Sequence, residues 1–189
     1  MAKAGLTREK IIDVAGLLAD ESGFEKLTLT AVAQHFHVRL PSLYGHVANS
    51  EDLKKGVALL ALEQLAERAE DAVAGRSGKD ALQALANAHR EFACQHPGLF
   101  HATRYPLDPN SAPGNGGTRL ARVSLAMLRG YGLPEDESVH AIRLFGSFVL
   151  GFSLLETAGS FAHRLPPSEH SWERGIDAID ALIRSWSKD

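Results

Sequence analysis

The chain has 189 residues, 44% hydrophobic and 23% charged, with a formal net charge of −3. This is a globular composition, and the mild negative balance excludes a protein that coats nucleic acid by bulk charge while leaving room for a local basic face. No apolar run approaches the roughly 18–20 residues of a membrane span, the first ten residues lack an apolar signal core, and the one cysteine, Cys94, forms no internal disulfide, so a reducing cytoplasm is the expected compartment.

Nearly every segment reads as helix. Thr7 caps a first helix with Ile11, Ala15, Leu18 and Ser22 on one face, and Gly23 ends it. Short helices follow over residues 30–36 and 40–46, separated by a break at His37 and Val38. Ser50 is the expected cap of a long helix that starts with Glu51 and Asp52 at its positive end and runs to residue 74. Further helices are predicted over 79–95, 97–104, 118–130, 135–161 and from Ser168 or Ser171 to 186. The Pro- and Gly-rich stretch 105–117 is expected to be a mobile loop. No strand alternation and no repeat occurs, so the fold class is all-α with about nine helices. Residues 1–49 form the expected small N-terminal domain and 50–189 a larger helical one.

Residues 27–53 carry the functional signal. Two short helices joined by a tight turn make a helix-turn-helix, whose second helix fits the roughly 12 Å wide major groove of DNA. Between Lys26 and Glu51 no acid occurs, as expected of a surface that approaches phosphates. Val38, Leu43 and Val47 point to the core. Arg39, Leu40, Ser42, Tyr44 and His46 point outward, and Pro41 sits in the first turn, where its missing N–H costs nothing. Arg39, Leu40, Pro41 and Ser42 are the candidate base-reading residues; Thr30, Tyr44, His46 and Lys54 are the candidate phosphate contacts.

Leu29, Thr30, Val32, Ala33, Val38, Leu43, Tyr44, His46, Val47 and Leu53 make this run resemble the TetR family of transcriptional regulators, in its branch with a WHG-type C-terminal domain. The resemblance is strong over about residues 7–56. Two departures stand out. His37 occupies a turn position where the family usually has glycine, and Ser50 one where it often has a phosphate-binding lysine.

The resemblance implies a homodimer built through the last two helices. Trp172, Ile176, Ile179, Ile183 and Trp186 recur at 4-3-4-3 spacing, like a coiled-coil seam. Leu144, Ser147, Gly151 and Leu154 line a face of mostly small residues on the preceding helix. These nine are the candidate dimer contacts; the alternative is that both stripes pack within one subunit.

A second face of that preceding helix carries Phe145, Phe148 and Phe152. With Phe92, Phe100, His101, Tyr105 and Met127 they are the candidate lining of a pocket for a largely apolar small molecule; the alternative for each is plain core.

Nine histidines show neither the i, i+4 pair nor the close Cys/His cluster of a zinc site. No nucleophile elbow, P-loop or dinucleotide fingerprint occurs. No metal, cofactor or catalytic residue is therefore expected. The expected function is a dimeric repressor released from a palindromic DNA operator by a small molecule. The alternatives are a regulator of the same fold that is ligand-independent, partner-controlled or activating and, more remotely, an all-α enzyme.

Overall fold

Eight α-helices carry the fold of the computed structural model, which describes residues 5–108 and 115–187 and has no strand among them. They are α1 (Arg8–Ser22), α2 (Leu29–His35), α3 (Ser50–Val73), α4 (Gly78–Gln95), α5 (Pro97–Ala102), α6 (Gly116–Leu128), α7 (Glu135–Thr157) and α8 (Ser168–Trp186). Residues 109–114, the middle of the expected mobile loop, lie outside the described residues.

The expected ninth helix, over 40–46, is a single 3-10 turn at Leu40–Ser42 that continues as further turns. Its bonds are short-range: Ser42 N–H donates to the Arg39 carbonyl, Leu43 N–H to Leu40 and His46 N–H to Leu43. Gly45 adds backbone freedom that disfavours a regular helix.

Side chains cap both helices that flank the recognition segment, one of them other than expected. Thr28 caps α2, its hydroxyl accepting from Ala31 N–H at 3.2 Å. Asn49 rather than Ser50 caps α3, its side-chain oxygen accepting from Asp52 N–H at 2.8 Å. Such caps contribute about 1 kcal/mol each.

Two compact units result. The first holds Met1–Gln64 and His96–Gly116, the second Leu65–Gln95 and Gly117–Asp189. The division falls inside α3, and α5 belongs with α1. In the first unit α1 buries Ile11, Ile12, Ala15, Gly16 and Ala19. Gly56 of α3 meets Ile12 so closely that a Cβ there has no room, and Gly98 of α5 does the same against the Ala19 backbone. Asp20 fixes α5 to α1: one carboxylate oxygen accepts from Leu99 N–H at 2.8 Å and the other lies 2.8 Å from His96 Nδ1.

The second unit is built around α4, which packs on α7 and α8. Leu82 and Leu85 of α4, Phe145 and Val149 of α7, and Trp172, Ile176 and Ile183 of α8 form its core with Met127 and Tyr131. Two of its polar pairings lie at the edges. Trp172 donates to Asn87 at 2.8 Å and Tyr131 to Asp180 at 2.7 Å. Contrary to the sequence reading, one helix is long and apolar enough to cross a membrane: α7 reaches a mean hydropathy of 1.5 over 18 residues, although only 22% of that window is buried. Much of an apolar helix therefore faces outward in the single chain.

Candidate nucleic-acid interface

The helix-turn-helix is set by one backbone torsion. His37 is the only non-glycine among the described residues with positive φ, at 54°. This left-handed conformation ends α2, with His37 N–H donating to Gln34 and Val38 N–H to Ala33, each at 3.0 Å. Histidine tolerates it better than most side chains, which explains why glycine is dispensable here. After the turn Arg39 is extended, and the 3-10 turn of the recognition segment begins.

Burial divides the segment into two faces. Val32, Ala33, Leu43, Val47 and Leu53 are buried. Thr30, Arg39, Pro41, Ser42 and Tyr44 are exposed, Tyr44 by 52%. Leu40 and His46 are half-buried, and the His46 carbonyl accepts from Arg8 at 3.0 Å. Lys54 lies apart from this face in its bonding: its ammonium pairs with Glu25 at 3.1 Å and sits 5.3 Å from the Phe24 ring centre. Arg39 has no ion pair among the described residues.

The acids that follow the segment are neutralised. Arg8 grips Asp52 through two bonds of 2.7 and 2.8 Å, and Ala48 N–H adds a third at 2.9 Å. These donors, Arg8 foremost, pull the Asp52 carboxyl down to about 2. Glu51 pairs with Lys55 one turn on, at 2.9 Å. The Arg8–Asp52 clamp was not legible in sequence: the partners are 44 residues apart, and the only local hint was an acid in the first turn of α3.

The candidate dimer stripes separate. Trp172, Ile176, Ile179 and Ile183 are at most 6% exposed and belong to the chain's own core, with Trp186 packed against it. The coiled-coil-like spacing of α8 thus reflects packing inside one subunit. Ser147 is exposed and Leu144, Gly151 and Leu154 are half-buried; a Cβ on Gly151 would meet nothing.

The candidate pocket aromatics do not converge on one cavity. Phe92, Met127 and Phe145 are buried in the second unit, and Phe100 is buried in the first. Tyr105 stands edge-on to Phe24 at 5.8 Å, with His101 also beside that ring. Phe148 stacks on Trp172 at 5.4 Å and Phe152 lies 5.0 Å from it. Of the eight, His101 and Phe152 line open clefts, one in each unit. Burial holds the His89 imidazole below its ordinary value, and its Nδ1 lies 2.9 Å from the Leu85 carbonyl. A third, polar cleft of about 620 Å³ is lined by Arg68, Asp71, Arg76 and Asp80 among others.

Comparison with known proteins decides the family. Residues 82–179 match the family model described as the tetracyclin repressor-like C-terminal domain. An uncharacterized HTH-type transcriptional regulator of Mycobacterium tuberculosis is 35% identical over 158 residues, covering 82% of this chain and 72% of that protein. The chain belongs to the TetR family. Its members are transcriptional regulators that bind DNA through a helix-turn-helix rather than enzymes. The HTH-type regulator YobS of Bacillus subtilis is 28% identical over 84% of this chain and 83% of its own length. Apo ActR of Streptomyces coelicolor shares the fold with a TM-score of 0.74 at 19% identity, over 97% of each chain. A point variant of TetR from Acinetobacter baumannii, solved in complex with minocycline, matches at 0.75 and 20% identity, over 98% of this chain and 100% of that one.

The Asp52 clamp generates a pH prediction. The folded carboxyl titrates below its unfolded value, so its stabilisation is complete above about pH 4 and fades as pH falls through about 2. Both side chains are partly exposed, so Asp52→Asn should lower unfolding free energy by about 1 kcal/mol at pH 7. In urea titrations that difference should shrink between pH 5 and pH 2; a gap constant over this range contradicts the clamp.

Proposed function

We propose that this regulator is a dimeric repressor that leaves a near-palindromic operator when a small, largely apolar molecule binds its second unit. The observation that carries the DNA half is the exposed, acid-free recognition segment, led by Arg39 directly after the left-handed turn at His37. In this reading Arg39, Leu40, Pro41 and Ser42 read base edges, and Thr30 and Tyr44 position the module on phosphates. His46, tied through its carbonyl to Arg8, and Lys54, held by Glu25, contribute less.

The dimer half rests on the outward apolar face of α7. Leu144, Ser147, Gly151 and Leu154 form one stripe, and Ala178 and Leu182 of α8, both exposed, extend it. Small residues at Ser147, Gly151 and Ala178 let a second copy approach closely. A two-fold pair then presents recognition segments about 34–36 Å apart, one DNA turn. The effector half draws on fold relatives solved with minocycline and with actinorhodin. We assign the coupling to α3, a single helix running from its Asn49 cap to Val73. An effector that prefers the non-binding state a hundredfold supplies about 2.7 kcal/mol, within the usual range of allosteric coupling.

Two experiments test this reading. In competition binding across operator variants, Arg39→Ala should change sequence preference, removing about 1–3 kcal/mol of discrimination at one base pair. Tyr44→Phe should lower affinity evenly across sequences; equal, sequence-blind losses from both would overturn the assignment. In sedimentation, Leu182→Glu should give a folded monomer that no longer holds a full operator. Ile179→Glu, by contrast, should unfold the chain, because it buries a charge in the core. A Leu182→Glu protein that stays dimeric contradicts the proposed face.

A further inference from the structure

A cleft of about 550 Å³ opens where α7 hands over to α8. One wall is aromatic: Phe152 and Phe161 have ring centres 4.9 Å apart, and Phe152 lies 5.0 Å from Trp172. The rest of the lining combines His163, Arg164, Ser160 and Ser171 with the apolar Leu165 and Pro166. No acid lines it among the described residues. Ser168, also on the rim, already donates its hydroxyl proton to Glu156 at 2.7 Å, so it offers only lone pairs.

The neighbouring acids are spoken for. Arg90 holds Glu156 through two bonds of 2.7 Å and Glu169 through one of 2.6 Å, while its guanidinium lies over Trp172 and Phe152 at 5.0 and 5.7 Å. This buttress fixes the aromatic wall, and its one guanidinium offsets one of the two carboxylate charges, leaving Arg164 to supply the positive charge on the cleft itself. Arg164, by contrast, is exposed and has no ion pair among the described residues. A cleft with an aromatic face, no acid and an available guanidinium is complementary to one chemistry: a flat ring that carries an anion.

The geometry points to a binding site for an aromatic carboxylate in this cleft, with the ring against Phe152 and Phe161 and the carboxylate on Arg164. A planar fork of N–H donors matches a carboxylate bidentately, and the volume lies within the range of small-molecule sites. His163 stands next to Arg164 as a second donor, and Ser160 and Ser171 supply hydroxyls. The site needs no part of the repressor reading to exist. Occupancy would tie down the connection between the two helices that carry the proposed dimer face, a regulatory consequence that does rest on that reading.

The probe is 2-naphthoate, with 2-naphthalenemethanol as its uncharged counterpart. Titration into the full chain should quench tryptophan emission saturably, and amide shifts should concentrate in residues 160–171. The carboxylate should bind more tightly than the alcohol. Arg164→Gln should weaken the carboxylate by about tenfold, the scale of one charge-assisted contact, and leave the alcohol unchanged. Phe161→Ala should weaken both; if that variant loses helix, Phe161→Leu keeps the bulk, removes the ring and should do the same. Equal binding of both probes to the wild type, an Arg164→Gln protein with full naphthoate affinity, or shifts concentrated elsewhere in the second unit would each overturn the site. These readouts involve no DNA, so their failure leaves operator binding untouched.

Discussion

A helix of seven residues and a 3-10 turn of three cannot persist in water on their own, and the DNA-binding face depends on how they are held. One-sided burial holds them. Val32 and Ala33 from α2, with Leu43 and Val47 from the recognition segment, disappear into the first unit, as does Leu53 at the start of α3. That leaves Arg39, Pro41, Ser42 and Tyr44 outward. Two glycines allow the scaffold to close tightly: Gly56 under Ile12 and Gly98 under Ala19. A side chain at position 98 would push α5 off the α1 backbone, and one at 56 would force Ile12 to repack. The Arg8–Asp52 clamp and the Asn49 cap then fix the first turn of α3, and with it the exit of the recognition segment.

The second unit solves a different problem. It is a larger core in which α4 packs on α7 and α8, and its polar groups are satisfied at the margins by Asn87, Asp180 and the Arg90 cluster. Ser153 is the exception, a fully buried hydroxyl without a partner among the described residues. The apolar surplus of α7 is not consumed by this core. In the proposed dimer, that surplus faces the second copy.

What was legible in the sequence follows from range. The all-helical class, the break at His37 and Val38, the inward Leu43 and Val47 and the outward Arg39 and Tyr44 all depend on neighbours within a turn or two, and local pattern reports them. The α8 stripe failed as a guide to partners because periodicity says only that one face is buried, not by which chain; Trp172, Ile176, Ile179 and Ile183 serve their own subunit. Pairings over long separations were invisible. Lys54 reads as a free cation until Glu25, 29 residues away, is seen beside it. The aromatic grouping rested on the same local signal: helical spacing put Phe145, Phe148 and Phe152 on related faces, whereas the fold buries the first in the core, stacks Phe148 on Trp172 and tilts Phe152 against it. The recognition segment reads as a longer helix than it is because the spacing of Leu40, Leu43 and Val47 does not distinguish an α-helix from a run of tighter turns.

The most direct test of the account is an unbiased selection of the DNA fragments that the purified chain retains, read by sequencing. The account predicts one enriched motif, two inverted half-sites with centres about one helical turn apart, and loss of that motif's sequence preference at a fixed position in each half when Arg39 is replaced by alanine. Enrichment of a single unpaired half-site, or retention of DNA without any sequence motif, would contradict it.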